Sequence, residues 1–143
     1  MAPLYEIVVF TASLSKYADP LLNIIDKYGY CTYRLFREHC TFNRGSFVKD
    51  LVRLGRNMNE IMIVDNAPAS YMFQPENAYP CISWYDDMKD RELYDMIPIM
   101  EALATVDDLR VYLQAITAQD RVLYSQAMIL INKERRREKE RKL

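Results

Sequence analysis

Thr11, Lys49 and Asp65 bring a hydroxyl, an ammonium and a carboxylate into the sequence in that order. Val8-Val9-Phe10-Thr11-Ala12-Ser13-Leu14 and Val64-Asp65-Asn66-Ala67-Pro68-Ala69-Ser70-Tyr71 are apolar stretches that end in polar groups. Ser46-Phe47-Val48-Lys49-Asp50-Leu51 lies between them. A parallel sheet delivers side chains this way to a site at the carboxyl ends of its strands. The three groups together can hold a phosphoryl group beside a divalent metal. Asp65 with the Asn66 amide suits Mg²⁺, which takes oxygen ligands and keeps waters, so that one or two carboxylates plus substrate oxygens suffice. The same Asp-Asn before Ala-Pro also makes a good Asx turn. Thr11 can donate to a phosphate oxygen or cap the following helix. Lys49, on a predicted helix, can point inward as a fixed charge for a developing phosphoryl anion, or lay its stem along the apolar face. Arg37 and Arg44 read as surface arginines. Arg37 is the better bidentate phosphate partner if it faces the strand ends.

The elements that must position these groups alternate between strand and helix. Tyr5–Phe10 is an apolar run without alternation, expected to be a strand covered on both faces. Ser13 is the expected cap of a helix from Leu14 to about Lys27, with a break or restart at Asp19-Pro20. Gly29 closes it. Tyr33–Phe36 predicts a short strand, Phe42-Asn43-Arg44-Gly45 a turn, and Val48 to about Leu54 a helix with Gly55 as its C-cap. Ile61–Val64 and Ala78–Trp84 predict two further strands. From about Asp90 the pattern is helical, with one junction near Ala118–Asp120. The alternation predicts an α/β fold with a parallel sheet.

The chain has 143 residues and is half hydrophobic, enough for one domain with its own core. Its charge is unevenly spread. Residues 133–143 hold seven basic and three acidic residues, and the other 132 hold 12 basic against 17 acidic. Such a body does not read as a nucleic-acid binder, so no direct nucleic-acid contact is expected. Three cysteines and one histidine at these spacings fit no zinc template. Cys31, Cys40 and Cys81 read as buried or half-buried thiols, with His39-Cys40 as a catalytic pair the minor alternative. No apolar run is long enough for a membrane span, and the first ten residues lack the basic region and cleavage site of a secretory signal.

Taken together, the motifs from Tyr5 to about Leu109 resemble one family. They are Glu6-Ile7-Val8-Val9-Phe10-Thr11-Ala12-Ser13-Leu14, Lys16-Tyr17-Ala18-Asp19-Pro20, Leu35-Phe36-Arg37-Glu38, Arg44-Gly45, Val48-Lys49-Asp50-Leu51, Leu54-Gly55, Val64-Asp65-Asn66, Pro68-Ala69-Ser70-Tyr71, Pro75-Glu76-Asn77-Ala78 and Ser83-Trp84. The family is the small C-terminal-domain phosphatases of the haloacid dehalogenase superfamily. The resemblance implies a Rossmann-like parallel sheet with flanking helices and a Mg²⁺-dependent protein serine/threonine phosphatase. In that family an aspartate forms an aspartyl-phosphate, and a second, two residues on, protonates the leaving hydroxyl and later activates water. By resemblance Thr11 binds a phosphate oxygen, Lys49 neutralises the nucleophile and the transferring group, and Asp65 with Asn66 holds Mg²⁺. Arg37 matches an arginine near the phosphate, which Asn66 also adjoins, and Leu14 and Tyr17 match part of the substrate groove. The implied substrates are the phosphorylated tail of RNA polymerase II or other phosphoserine/phosphothreonine proteins, in the nucleus or cytoplasm.

The family's Asp-x-Asp-x-Thr segment and its β-insert belong before Tyr5 and are absent from these residues. Asp86-Asp87 lies outside the nucleophile's place. The expectation is a haloacid dehalogenase-like domain over 1–115 that lacks its first, central strand and its insert, followed by a helical basic extension over 116–143. Met1 reads as an internal methionine of a longer phosphatase. Losing about five buried side chains at roughly 2 kcal/mol each would cost about 10 kcal/mol, the scale of a domain's stability. It would also bare two apolar strand edges. Self-association through those edges or through the C-terminal helix is the expected hazard. Two functions follow: a phosphatase domain inactive without its nucleophile, or a pseudophosphatase that binds phosphopeptides or a partner. In the tail, Val122, Leu123, Met128, Ile129 and Ile131 predict a helix with a broad apolar side. Its polar end reads as a solvated helix end, with Glu134 repelling Glu138 and Glu138 attracting Lys142, or as a basic patch for nuclear import or an acidic partner.

Overall fold

The computed structural model describes residues 1–118 and 121–141, the side chains at 121–124, 134, 135 and 138 excepted. Strand β1 (Ile7–Phe10) leads into helix α1 (Ser15–Ile25), and strand β2 (Cys31–Leu35) returns parallel to β1. β3 (Thr41–Asn43) and β4 (Ser46–Val48) form an antiparallel hairpin. β5 (Ile63–Asp65) and β6 (Ala78–Pro80) form a second parallel pair. Among the described residues four helices follow: α2 (Glu92–Asp95), α3 (Ile97–Leu103), α4 (Leu109–Thr117) and α5 (Arg121–Arg141).

The expected strands and turns recur with shifts that have local causes. Helix α1 runs through Pro20 instead of breaking there. A proline costs a helix one rung, and here the Arg34 guanidinium ties the turn to β2 by donating to Asp19 Oδ1 at 3.1 Å and Asn23 Oδ1 at 2.8 Å. Ser13 does not cap α1. Leu14 is the capping residue, with no side-chain bond, because the Ser13 N–H is turned back onto the Thr11 hydroxyl. The turn at Arg44-Gly45 is present and carries two short strands that the sequence reading leaves out. Its central residues have φ of 48° and 83°, the left-handed pair that a two-residue hairpin of right-handed twist requires.

The predicted helix over Val48–Leu54 is replaced by a strand end, two extended residues and a single 3-10 turn at Leu51–Leu54. Gln74 explains the difference. Its Oε1 accepts the Leu51 N–H at 3.0 Å and its Nε2 donates to Asp50 Oδ1 at 2.8 Å, which holds Asp50 outside the helix. Gly55 closes the turn with φ of 66°. The strand predicted over Ala78–Trp84 stops at Pro80, because the next free N–H, from Ile82, goes to the Glu92 carboxylate at 2.8 and 2.9 Å.

The strands form two separate parallel pairs and a hairpin where one parallel sheet is expected. Among the described residues β1 pairs only with β2, and β5 only with β6. A cavity of about 1050 Å³ lies between the two pairs, lined by Val8 and Phe10 on one side and Ile63 and Val64 on the other.

Burial is likewise divided, between two unequal cores. Met96, Met100, Leu103, Leu109, Leu113 and Ile131 pack the helices into one core, which Tyr5, Met62 and Tyr79 join. Leu51, Ile63, Tyr71 and Ala78 form a second, smaller core under β5. The β1–α1–β2 unit buries only Ala18, and Tyr17, Leu21, Ile24 and Ile25 of α1 are exposed. In α5, Ala127 and Ile131 are buried while Ile129 and Leu130 face outward. The side chains of Val122 and Leu123, the Glu134–Glu138 and Glu138–Lys142 pairs and residues 119–120 of the expected junction lie outside the described residues. Among the described residues, no helix is long and apolar enough to cross a membrane.

Candidate functional site

The carboxyl end of β1 is a tight bend. The Thr11 N–H extends the ladder to the Leu35 carbonyl at 2.9 Å, and the Thr11 hydroxyl accepts the Ser13 N–H at 3.0 Å. Arg37 is locked to this bend: its own N–H donates to the Ser13 carbonyl at 3.1 Å and its Nε to the Ala12 carbonyl at 2.7 Å. Its guanidinium lies 4.9 Å from the centre of the Phe47 ring, which joins the bend to the hairpin. A stacked arginine with one nitrogen engaged is held in orientation while its other nitrogens stay able to fork onto an anion.

The carboxyl end of β5 carries the carboxylate. Lys49 Nζ lies 2.5 Å from Asp65 Oδ2, and the two residues are 8% and 7% exposed. The other oxygen, Oδ1, accepts the Ala67 N–H at 2.9 Å. The Asx turn and the charged site are therefore the same structure. Asn66 points its amide nitrogen at the Ser83 hydroxyl, 2.7 Å away. Lys49 itself is held by its N–H donating to the buried Ser70 carbonyl at 2.8 Å.

Cys40 sits where these pieces meet. Its Sγ lies 4.0 Å from the Thr11 carbonyl and 3.8 Å from that of Phe36. Burial pushes this thiol up; the charges of Lys49 and Arg37 pull it back, and Asp65 and Glu38 add to the rise. Thr11, Arg37, Lys49 and Asp65 thus share one locality at the ends of β1 and β5. Burial, Glu92 and Asp65 raise the Cys81 thiol on the far side of Asp65. Neither thiol has the depressed pKa of a nucleophile. His39 is not a partner for Cys40: its Nδ1 accepts the Phe36 N–H at 2.8 Å and closes a local turn.

Leu14 and Tyr17 begin α1 just beyond the Thr11 bend, and both are exposed. Arg44 occupies the hairpin turn. Asp86 and Asp87 lie on an exposed loop, where Asp87 accepts from the Lys89 N–H and the Trp84 indole. The sequence reading misses the supports. Gln74 fixes the strand-to-turn segment after Lys49, and fully buried Asn77 donates to the Met58 and Ile61 carbonyls at 2.7 Å ahead of β5. A polar residue after an apolar pair (Met72-Phe73-Gln74) and another just before a predicted strand were the available signals.

As to a metal, no group of three or more His, Cys, Asp or Glu side chains converges among the described residues. Asp65 offers two oxygens with one donor each, so lone pairs remain for a hard cation. Mg²⁺ is commonly held by one or two carboxylates plus waters and substrate phosphate. Asp65 fits that role, with Asn66 beside it.

The family described as NLI interacting factor-like phosphatase matches residues 1–110. The chain belongs to this family. Among curated NLI interacting factor-like relatives, carboxy-terminal domain RNA polymerase II polypeptide A small phosphatase 1 from Homo sapiens is 55% identical over 109 residues, 76% of this chain and 42% of that protein. CTD small phosphatase-like protein from Homo sapiens is 57% identical over 76% of this chain and 40% of its own length. Phosphatase Herzog from Drosophila melanogaster is 54% identical over 76% of this chain and 31% of its own length. The chain thus spans about two fifths or less of the length of these relatives.

Proposed function

We propose that this chain carries the phosphate- and metal-binding side of a Mg²⁺-dependent protein serine/threonine phosphatase site in a haloacid dehalogenase-like sheet. The buried Lys49–Asp65 pair at the strand ends carries the reading. A buried ion pair adds little stability, because desolvation offsets its attraction. Its place beside Thr11 and Arg37 is better explained by chemistry. Lys49 has three N–H donors and gives one to Asp65, which leaves two for a phosphoryl oxygen or a nucleophile. The Thr11 hydroxyl accepts from Ser13 and keeps its own proton to donate to phosphate. Arg37 offers its terminal nitrogens to the same anion. Mg²⁺ held by Asp65 and Asn66 would supply charge neutralisation and orientation of the phosphate.

The covalent step needs a carboxylate. Its oxygen bonds to phosphorus as the bond from phosphorus to the serine or threonine oxygen breaks, and a second carboxyl group gives that oxygen its proton. In this reading both belong to an Asp-x-Asp-x-Thr segment on a strand between β1 and β5. The substrate is a phosphoserine or phosphothreonine protein such as the RNA polymerase II tail, in the nucleus or cytoplasm. The phosphatase relatives support this class. The test is hydrolysis of a chromogenic phosphate ester with Mg²⁺. The chain alone should give no turnover, and turnover should appear when the Asp-x-Asp-x-Thr segment is joined to it. Turnover by the chain alone would overturn the site. A second reading, a phosphopeptide- or partner-binding module, is supported by one observation: among the described residues Asp65 is the carboxylate bonded to Lys49, with no second aspartate paired to it. Phosphopeptide binding with no turnover from the joined protein would select it.

A further inference from the structure

Helix α5 continues past the body it packs on. Ala127 and Ile131 bury it against α3 and α4, and every described side chain after Ile131 is exposed. Residues 132–141 extend the helix by about 15 Å, at about 1.5 Å per residue. Ile129, Leu130, Lys133, Arg136, Arg137 and Arg141 recur at steps of three and four, so they share one side of this arm. That side is not the one that buries Ala127 and Ile131. Among the described acidic side chains of α5, Glu140 also falls on it. An apolar pair followed by four cations suits a partner that is itself part apolar and part acidic.

The chain holds such a surface elsewhere. The loop between β6 and α2 is exposed from Trp84 to Arg91, and Tyr85 and Met88 are 82% and 88% exposed. Residues 82–95 carry five acidic and two basic side chains, and residues 129–141 carry six basic and three acidic, so the excesses are equal and opposite. The loop is not neutralised from within. Arg91 turns to the Tyr94 ring, 5.3 Å from its centre, and to Asp95 at 4.0 Å. Among the described residues Asp86 and Asp87 form no ion pair, and neither do Lys133, Arg136 and Arg137. The two patches flank one core, since the loop runs into α2 and α3 and α3 packs on α5. No ion pair joins them within one molecule among the described residues.

We propose that this side of α5 docks on the β6–α2 loop of a second copy of this chain. Lys133, Arg136 and Arg137 meet Asp86, Asp87 and Asp90, and Ile129 and Leu130 meet Trp84, Tyr85 and Met88. Each copy carries both patches, so the contact is made twice about a two-fold axis and closes as a dimer. The acidic excess of residues 1–132, 17 against 12, repels nucleic acid and anionic lipid, which would otherwise suit the cations. From Ile129 to Arg141 the helix is about 20 Å long and about 10 Å wide, so each contact covers about 200 Å² on each partner and the dimer buries about 800 Å² in all. That lies below the roughly 1,200 Å² of a stable interface, so the pairing is weak, and its charges make it sensitive to salt. The loop includes Ser83, whose hydroxyl lies 2.7 Å from Asn66 Nδ2, so docking adjoins the candidate site. The pairing does not depend on the phosphatase reading.

The full chain is followed by sedimentation velocity and by the fluorescence of Trp84, its one tryptophan. In about 50 mM NaCl it should dimerise with a Kd of about 10–100 µM, and the Trp84 emission should shift to the blue as it does. Raising NaCl to about 500 mM should weaken the dimer about tenfold. Arg136→Glu with Arg137→Glu, and separately Asp86→Lys with Asp87→Lys, should each weaken pairing about tenfold or more. Mixed in equal amounts, the two variants should pair again, because each offers the charge that the other lacks. All four positions are exposed, and circular dichroism checks that both variants fold. Should either lose its fold, Arg136→Gln with Arg137→Gln must still weaken pairing about threefold. A chain that stays monomeric up to about 200 µM in the low salt overturns the proposal. So does association indifferent to salt or to either reversal, or a mixture that stays monomeric. A monomer that binds phosphatidylserine vesicles or an RNA oligonucleotide through the arm gives this side another occupant and overturns it as well.

Discussion

Lys49→Met is the substitution that weighs most. It keeps an apolar stem of similar reach and removes the ammonium that lies 2.5 Å from Asp65 Oδ2. Asp65 is then a carboxylate only 7% exposed, still bonded by the Ala67 N–H. Removing one member of a buried pair costs about 3–5 kcal/mol, because the survivor stays desolvated. The bond from Ala67 softens the loss, which places the expectation at the lower end, about 3 kcal/mol. At about 1.5 kcal/mol per molar of urea, that moves the unfolding midpoint down by about 2 M. The double substitution Lys49→Met with Asp65→Leu removes both charges and should recover most of the loss, since apolar replacement of a buried pair is often neutral. Urea titration followed by tryptophan fluorescence and circular dichroism gives both numbers. A single variant within about 1 kcal/mol of the wild type, or a double variant worse than the single, would refute the claim that Asp65 is a buried charge held by Lys49.

Two further substitutions probe the supports. Gly45→Ala meets no atom within 4 Å, so its cost is the backbone strain of an alanine at φ 83°, about 1 kcal/mol; Gly45→Asn should lose clearly less in the same urea titration, and equal losses would point to sterics instead. Asp26 accepts the Tyr30 and Cys31 N–H groups at 2.8 and 3.0 Å, and these bonds hold its carboxyl below the usual 3.8. A depressed folded pKa means that its contribution is complete above pH 3.8 and is lost as pH falls below that value. Asp26→Asn should therefore lower stability at pH 6 and flatten the fall between pH 4 and pH 2, and a pH profile parallel to the wild type would show that this loop closure does not matter.

The positions of Thr11 and Asp65 at strand ends were legible because they sit where patterns break. Apolar runs ending at Thr11 and Asp65 could hardly be anything but strands delivering polar groups to one edge. Gly45 and Gly55 mark left-handed positions that few other residues tolerate. What was not legible depends on partners far along the chain. Val48, Leu51, Val52 and Leu54 have spacing that suits a helix, and Gln74, more than twenty residues on, binds Asp50 and Leu51 so that the helix shrinks to one turn beginning at Leu51. Pro20 stays helical because Arg34 reaches back from β2. Strands of three residues such as β3 and β4 are too short to show a period. Their turn was visible and they were not.

The two halves of this molecule are unequally finished. β5 and β6 rest on two apolar cores, while β1, β2 and α1 bury one alanine among them and leave the apolar side of α1 in solvent. An amphipathic helix draws its stability from packing that face more than from propensity, and α1 lacks that packing here. The same unit supplies Thr11 and the bend that orients Arg37, so both residues stand on the less buried part. Local opening free energies follow such differences in burial. Geometry at Thr11 is therefore the first to be lost and the last to be gained. Any packing gained along Val8 and Phe10, which line the cavity, would stabilise the weak unit directly and with it the bend that carries Thr11 and Arg37.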